Sequence, residues 1–521
     1  MTDSVKHIVI VGGGTAGWIT AGVLAAQHCA HPASRITVTL IESPDISPIG
    51  VGEGTWPSMR STLQQMGISE TEFIRECDAS FKQGSCFSGW VTGSESDRYY
   101  HPFTPPQGYS ETNLAAYWQL VRDKVNFADA VSPQSRLCDK GLAPKKISTP
   151  EYAFNANYGY HLDAGKFAIF LQKYCVEKLG VNHILDTVTA VNADDSEYLV
   201  SVTTSTQGDI SGDLFVDCSG FSALLIGQHY KIPFCSKKDI LFNDTALAVQ
   251  IPYAKEGDPI ASHTLSTAQT AGWIWDIGLP SRRGVGYVYS SAHISDEDAE
   301  IELRQYISNS SIGFDADKVS LRKLMINPGH RQKLWHKNCV AVGMASGFIE
   351  PLEASALVLV EQSAKMISEQ LPATREVMEV VSKRFNDKFL YHWDSVIQFL
   401  KLHYVLSKRQ DTAYWRDNRR TDTIPDSLQD LLTLWRYQAP WHQDAPLIDE
   451  LFPSASFQYV LYGMGFETVS DPSVTKSGLA AKSRADTLFQ ENARKTQQLL
   501  TSLPATRELI DKVRQYGFQK I

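Results

Sequence analysis

The 521-residue chain has no surplus of positive charge: 49 Lys and Arg stand against 58 Asp and Glu, for a net charge of −9. That balance argues against a phosphate-tracking surface, so no nucleic-acid partner is expected, and the basic run RDNRR at 416–420 reads as a solvated face. Closely spaced cysteines are missing too. Cys29, Cys77, Cys86, Cys138, Cys175, Cys218, Cys235 and Cys339 are dispersed, with no Cys-x-x-Cys pair. Reduced thiols are therefore expected rather than a disulfide frame or a metal site. No run of about 18 or more apolar residues marks a membrane span. The opening MTDSVKHIVIVGGG runs almost directly into a strand, without the charged, apolar and cleavage regions of a secretory leader. These absences together lead to the expectation of a soluble, cytoplasmic protein that meets no membrane. Internal repeats and low-complexity tracts are also lacking.

What is present is a globular composition, 43% hydrophobic and 21% charged. The length suggests about two to four units. HIVIV at 7–11 is a short β-branched run, followed by GGGTAGW at 12–18 and the helical pattern ITAGVLAAQHC at 19–29. Gly12, Gly14 and Gly17 fit G-x-G-x-x-G at a strand-to-helix turn. The first allows the tight turn, the second lets a pyrophosphate approach the backbone, and the third lets helix and strand pack closely. The unpaired N–H groups and dipole of the helix start favour the phosphates. The next strand, RITVTLIE at 35–42, ends in Glu42, where an acid hydrogen-bonds a ribose. Strand, glycine loop, helix, strand and acid in that order point to a bound dinucleotide. No second such fingerprint is present, so a separate nicotinamide domain is not expected.

A second glycine-rich stretch, PIGVGEGTWP at 48–57, admits either close approach of a ring system or a plain turn. LFVDCSGF at 214–221 and NCVAVGMASGFIEPL at 338–352 are apolar strands running into small residues, and they resemble strands that return to the nucleotide-binding sheet of FAD-dependent monooxygenase-like flavoproteins. The implied fold is α/β, with an FAD-binding module over 1–60, 160–224 and 336–370. A substrate-side region over 61–159 and 225–335 is interleaved with it, and a mainly helical substrate-covering part follows over 371–521. Helical periodicity runs over 364–400 and again over 479–516. In GWIWDIGLP at 272–280, Trp273, Trp275 and Ile277 share one face of a strand, as core packing or as a wall.

GGGTAGW, GVGEGTWP, FKQG at 81–84, GWIWDIGLP and GFIEPLEAS at 347–355 occur in the order of the flavin-dependent tryptophan halogenase family, which this chain resembles over nearly its whole length. YYHPF at 99–103, YHLDAGKFAIFL at 160–171, RRGVGYVYS at 282–290 and KLHYVLSKRQDTAYW at 401–415 support the resemblance. It implies a two-component reaction. A separate flavin reductase supplies FADH2, which with O2 and chloride or bromide yields hypohalous acid. That acid passes through a tunnel to a second site and halogenates a small electron-rich aromatic. A homodimer stays open.

By register with the family, Lys82 is the essential lysine, suited to polarise hypohalous acid or to form a haloamine; read alone, it is an ordinary loop lysine. Glu353 matches the carboxylate beside the substrate ring, a general base for the halogenated intermediate. Glu350 is its competitor, read as structural or flavin-proximal, and both also read as acids at a helix start that Pro351 suits. Gly12, Gly13, Gly14, Thr15, Ala16, Gly17, Glu42, Val188, Met344 and Leu357 match cofactor contacts, and Ser355 and Ala356 match the halide site. The family shows Glu-Ser-Thr-Gly where this chain has Glu-Ala-Ser-Ala, so Ala354 loses a hydroxyl and Ala356 lacks glycine's backbone freedom. Trp273 and Trp275 match the residues that shield the flavin, and His101 and Phe103 those flanking the substrate. The Tyr-Tyr-Glu cluster that grips free tryptophan has no equivalent; FPSASFQYVLYGMGF at 452–466 occupies its neighbourhood. An indole, a phenol or pyrrole, or a peptidyl tryptophan are the substrates left open. Two alternatives stand beside this reading. One is a single-component FAD hydroxylase, which two indoles walling off the flavin would obstruct; the other is an inactive flavin-binding homologue.

Overall fold

Ile8, Val9 and Ile10 are fully buried, so the strand His7–Val11 needs partners on both edges and apolar cover on both faces. It has them. In the computed structural model, which describes residues 4–29, 36–46, 52–94, 96–311, 314–445, 447–469 and 479–519, this strand pairs in parallel with Thr37–Glu42 and with Leu214–Asp217. The complete sheet runs Trp335–His336, Cys339–Ala341, Leu214–Asp217, His7–Val11, Thr37–Glu42, Asn182–Leu185, parallel except for the first, antiparallel pair. Residues 48–51 of the second glycine-rich stretch lie outside the described residues.

The chain divides into two units. The first comprises residues 1–78, 162–237 and 327–393, and contains this sheet. The helix Thr15–His28 is buried all round its middle, at Gly17, Trp18, Ile19, Thr20, Ala21 and Gly22, and again at Leu24 and Ala25. Its small residues permit tight packing: a Cβ on Gly17 would sit 1.9 Å from the Gly12 carbonyl oxygen, and one on Gly22 2.1 Å from Met66. The helix Ala164–Leu179 is capped by Asp163, which accepts from the Lys166 N–H at 3.0 Å, and it ends at Gly180 with φ 72°. A three-stranded antiparallel sheet (Val188–Ala193, Leu199–Thr204, Gly208–Ser211) shares a core with the main sheet through Leu199, Val202, Val9 and Phe215.

The second unit comprises residues 79–161, 238–326 and 394–521. Its seven-stranded sheet runs Arg322–Met325, Thr245–Pro252, Arg282–Tyr289, Gly272–Gly278, Thr264–Ala268, Gly84–Ser88, Arg98–Pro102. On one face Ile274, Val285 and Tyr287 pack under Ala299, Leu303 and Ile307 of the helix Asp296–Ser310. The opposite face carries the two indoles of Gly272–Gly278.

Most of the C-terminal part is helical, but its two long periodic stretches are not single helices. The pattern over 364–400 falls on Ser355–Glu369 and Arg375–Val405, and the pattern over 479–516 on Leu479–Ser502 and Thr506–Tyr516. Pro372 and Pro504 stand in the two gaps; proline lacks the N–H donor and clashes with the preceding turn, so each periodicity is interrupted there. Among the described residues, no helix is long and apolar enough to cross a membrane, and no group of three His, Cys, Asp or Glu could hold a metal.

Candidate functional site

Within the first unit an open cleft, about 180 Å³ in volume, is lined by Gly14, Thr15 and Ala16 from the helix start, by Met344 and Phe348, and by Ser355, Ala356 and Leu357. The glycine spacing explains how backbone forms this wall. Gly12 has φ 119°, and a Cβ there would lie 2.2 Å from the Cys218 carbonyl oxygen. Gly13 lies against Glu42, whose side chain a Cβ would meet at 2.2 Å. Gly14 differs: a Cβ on it would touch nothing within 4 Å, so its bare backbone faces open space. The helix that follows has no side-chain N-cap and no acid in its first turn, leaving its N–H groups for an anion. A nucleotide diphosphate suits this cradle by its own chemistry. Glu42 closes the Thr37–Glu42 strand, its Oε2 3.1 Å from His183 Nε2. Val188 is part of the core beside the main sheet and does not line the cleft.

Glu53 also lines the cleft, and burial pushes its carboxyl up to about 7. A single acid among glycines in GVGEGTWP was the available sequence signal for it. Trp393 and Cys218 are further wall residues that sequence reading did not single out.

At residues 350–356 the backbone differs from the expected helix start. Glu353 (φ 63°, ψ 7°) and Ala354 (φ 55°, ψ 43°) are consecutive left-handed residues, and the α-helix begins only at Ser355. Neither Glu350 nor Glu353 is thus a first-turn helical acid. Positive φ is demanded at 353 and 354, whereas Ala356 is ordinary helix, so its lack of glycine freedom has no consequence. Two side chains with Cβ atoms in this region store strain, which surrounding contacts must offset. One such contact is the Trp56 indole, whose Nε1 donates to the Glu353 carbonyl oxygen at 2.7 Å. Glu350 and Glu353 are both buried.

The second unit holds Lys82. Its strand Ser80–Lys82 pairs antiparallel with Gly159–Asp163, placing Lys82 opposite Gly159 and Ser80 opposite His161. Ser80, Lys82 and His161 therefore share a face, while Phe81 turns the other way, its ring 5.2 Å from that of Tyr158. The rest of FKQG secures this strand. The Gln83 N–H donates to Ser262 O and its Nε2 to Leu142 O, both at 2.7 Å. Gly84 (φ 148°) leaves room for the His101 carbonyl, which a Cβ would meet at 2.4 Å. Lys82 is 1% exposed, and its Nζ lies 5.2 Å from the centre of the Phe103 ring, a cation–π contact. His161 Nε2 is 2.8 Å from Thr264 Oγ1, and burial together with the nearby Lys82 cation holds this imidazole well below its usual range, hence neutral. His263 is lowered to about 4 by burial. The His101 ring lies tilted against those of Phe399, at 5.7 Å, and Tyr459, at 6.0 Å.

Trp273 is buried, 6.3 Å from Trp90 and 6.4 Å from Trp275. Trp275 lies across from Gly286, where a Cβ would come within 2.1 Å of its ring, so the second glycine of RRGVGYVYS is the seat of that indole. In the helix Ser454–Gly463, Tyr459 donates its hydroxyl to Thr104 O at 2.8 Å and Tyr462 meets Thr468 Oγ1 at 3.2 Å. Both phenols are committed within the protein.

A family model described as tryptophan halogenase matches residues 7–477. The chain is 32% identical to tryptophan 6-halogenase SttH of Streptomyces toxytricini, over 97% of this chain and 98% of that protein. The crystal structure of a tryptophan halogenase from Shewanella frigidimarina NCIMB 400 is similar at a TM-score of 0.96 and 52% identity, covering 99% of each chain. Tar14, a tryptophan C-6 flavin-dependent halogenase (chlorinase) from taromycin biosynthesis, gives 0.90 and 33%, covering 98% of this chain and 100% of that one.

Proposed function

The chain belongs to the tryptophan halogenase family, and from that premise we propose that it halogenates an electron-rich aromatic of the indole class other than free tryptophan, using FADH2 delivered by a separate reductase. The observation that carries the reading is the cleft that joins the bare helix start at Gly14–Ala16 to the helix start at Ser355–Leu357. Gly14, Thr15 and Ala16 would hold the cofactor's pyrophosphate, Glu42 a ribose, and Met344 and Leu357 its ring system. FAD bound there supplies the chemistry that turns oxygen and chloride or bromide into hypohalous acid.

The remaining steps belong to this chain's own residues. The N–H groups of Ser355 and Ala356 hold the halide. The buried Lys82 ammonium hydrogen-bonds the oxygen of HO–X and gives it a proton as the aromatic carbon takes the halogen, so that hydroxide leaves as water. Glu353 accepts the proton from that ring carbon, restoring aromaticity, and protons return to Lys82 from solvent. Phe103 and His101 flank the ring, and Trp273 and Trp275 keep organic substrate from the flavin. The committed hydroxyls of Tyr459 and Tyr462 support a substrate whose amino-acid ends are not gripped.

The test supplies FADH2 with any flavin reductase, in chloride and then bromide, to a panel of indoles, phenols, pyrroles, tryptophan and tryptophan-containing peptides, and reads products by isotope pattern. Halogenated indoles without halogenated free tryptophan support the reading. Hydroxylated products, or rapid NAD(P)H consumption by the protein alone, would place it with the single-component hydroxylases instead.

A further inference from the structure

The segment after Gly52–Gly54 makes two contacts here, one with the turn before the helix Ser355–Glu369 and one with the helix itself. Trp56 Nε1 donates to the carbonyl oxygen of Glu353, and the hydroxyls of Ser58 (3.1 Å) and Thr62 donate to the two carboxyl oxygens of Glu361. The first contact falls on the first of two consecutive left-handed residues that lack glycine's freedom. The second fixes the height and rotation of the helix that follows. Of the intervening backbone, the Ala354 N–H is closed onto Pro351 O at 2.9 Å. An L-residue pair in this conformation persists when something outside it holds it, and the Trp56 indole N–H donates to its leading carbonyl.

We propose that Trp56 is a positioning residue for Glu353 and for the halide-binding N–H groups of Ser355 and Ala356. Its indole N–H holds the 353–354 turn left-handed, and the turn sets both the direction of the Glu353 carboxyl and the orientation of the N–H groups one and two residues on. The ring of Trp56 is incidental to this role; the N–H is the working part. The proposal rests on the halogenase reading for the meaning of residues 353–356, though the clamp itself can be observed without turnover.

Trp56→Phe keeps an aromatic ring and removes the donor. Hydrogen exchange of the Ala354 amide, measured without substrate, should quicken by about tenfold or more, while amides of the Thr15–His28 helix stay as they are. In turnover the ratio of halide KM to aromatic-substrate KM should rise by about tenfold, a ratio that loss of folded protein does not move. Adding Ala354→Gly to Trp56→Phe should bring that ratio back to within about threefold of wild type, because glycine adopts positive φ without strain. An unchanged Ala354 exchange rate, an unchanged KM ratio, or failure of Ala354→Gly to rescue would each overturn the proposal. If wild-type protein halogenates nothing on the panel, the functional reading fails while the exchange result still decides the clamp.

Discussion

The cleft at the start of the Thr15–His28 helix is walled largely by backbone and small side chains, whereas Lys82 lies among aromatic rings and imidazoles held neutral. The first region offers many weak, fixed N–H donors and open space, which suits a large anionic cofactor that must enter and leave. The second offers a buried cation beside the Phe103 ring, which suits a small polarisable oxidant. The two regions should therefore fail in different ways: changes to the first should weaken binding by degrees, while loss of a single atom group in the second should stop the chemistry.

Lys82→Ala is expected to have the largest effect. Aromatic halogenation should fall below detection while FADH2 oxidation continues, as measured by product analysis beside oxygen uptake. Glu353→Gln should come next, slowing halogenation by about 10²–10⁴-fold, the range of a positioned acid–base group, read from single-turnover rates. An unchanged rate would move that role to Glu350.

Glu361 tests the cleft side through stability. Burial pushes its carboxyl from the ordinary 4.5 up to about 7, against the pull of the Ser58 and Thr62 hydroxyls. Below the unfolded value both states hold the proton. As pH rises towards 7 the unfolded chain has shed a proton that the folded one keeps, so stability should fall across that window, by up to about 3 kcal/mol. Denaturant melts of Glu361→Gln between those pH values should show a flatter profile; Glu53 titrates in the same window and leaves a residual slope. The smallest effect is expected at Gly14. Gly14→Ala places a methyl in open space and should weaken FAD binding by about tenfold without lowering stability, whereas Gly12→Ala, at φ 119°, should cost about 2 kcal/mol or more in the same melts.

The glycines of the nucleotide loop were legible because their spacing reports backbone approaches that no other residue allows, and Gly12 and Gly17 make those approaches. The Trp273–Trp275 strand was legible from its period-two pattern, and the parallel sheet from the order of its apolar runs. The turn at Glu353 and Ala354 was not, since neither residue type announces positive φ. Trp56 carries no local cue, because its partner lies 297 residues along the chain. Helix ends at 369 and 502 were blurred because periodicity averages over a window that a single proline interrupts.

In the proposed reaction, oxidant is made without Lys82 and used only with it. This is tested most directly by following the oxidising equivalents in Lys82→Ala with a small diketone added to trap free hypohalous acid. Oxygen consumption near the wild-type rate, halogenated trap and no halogenated aromatic are expected. Loss of the halogenated trap together with the aromatic product would contradict this, by placing Lys82 in the formation of the oxidant rather than in its use.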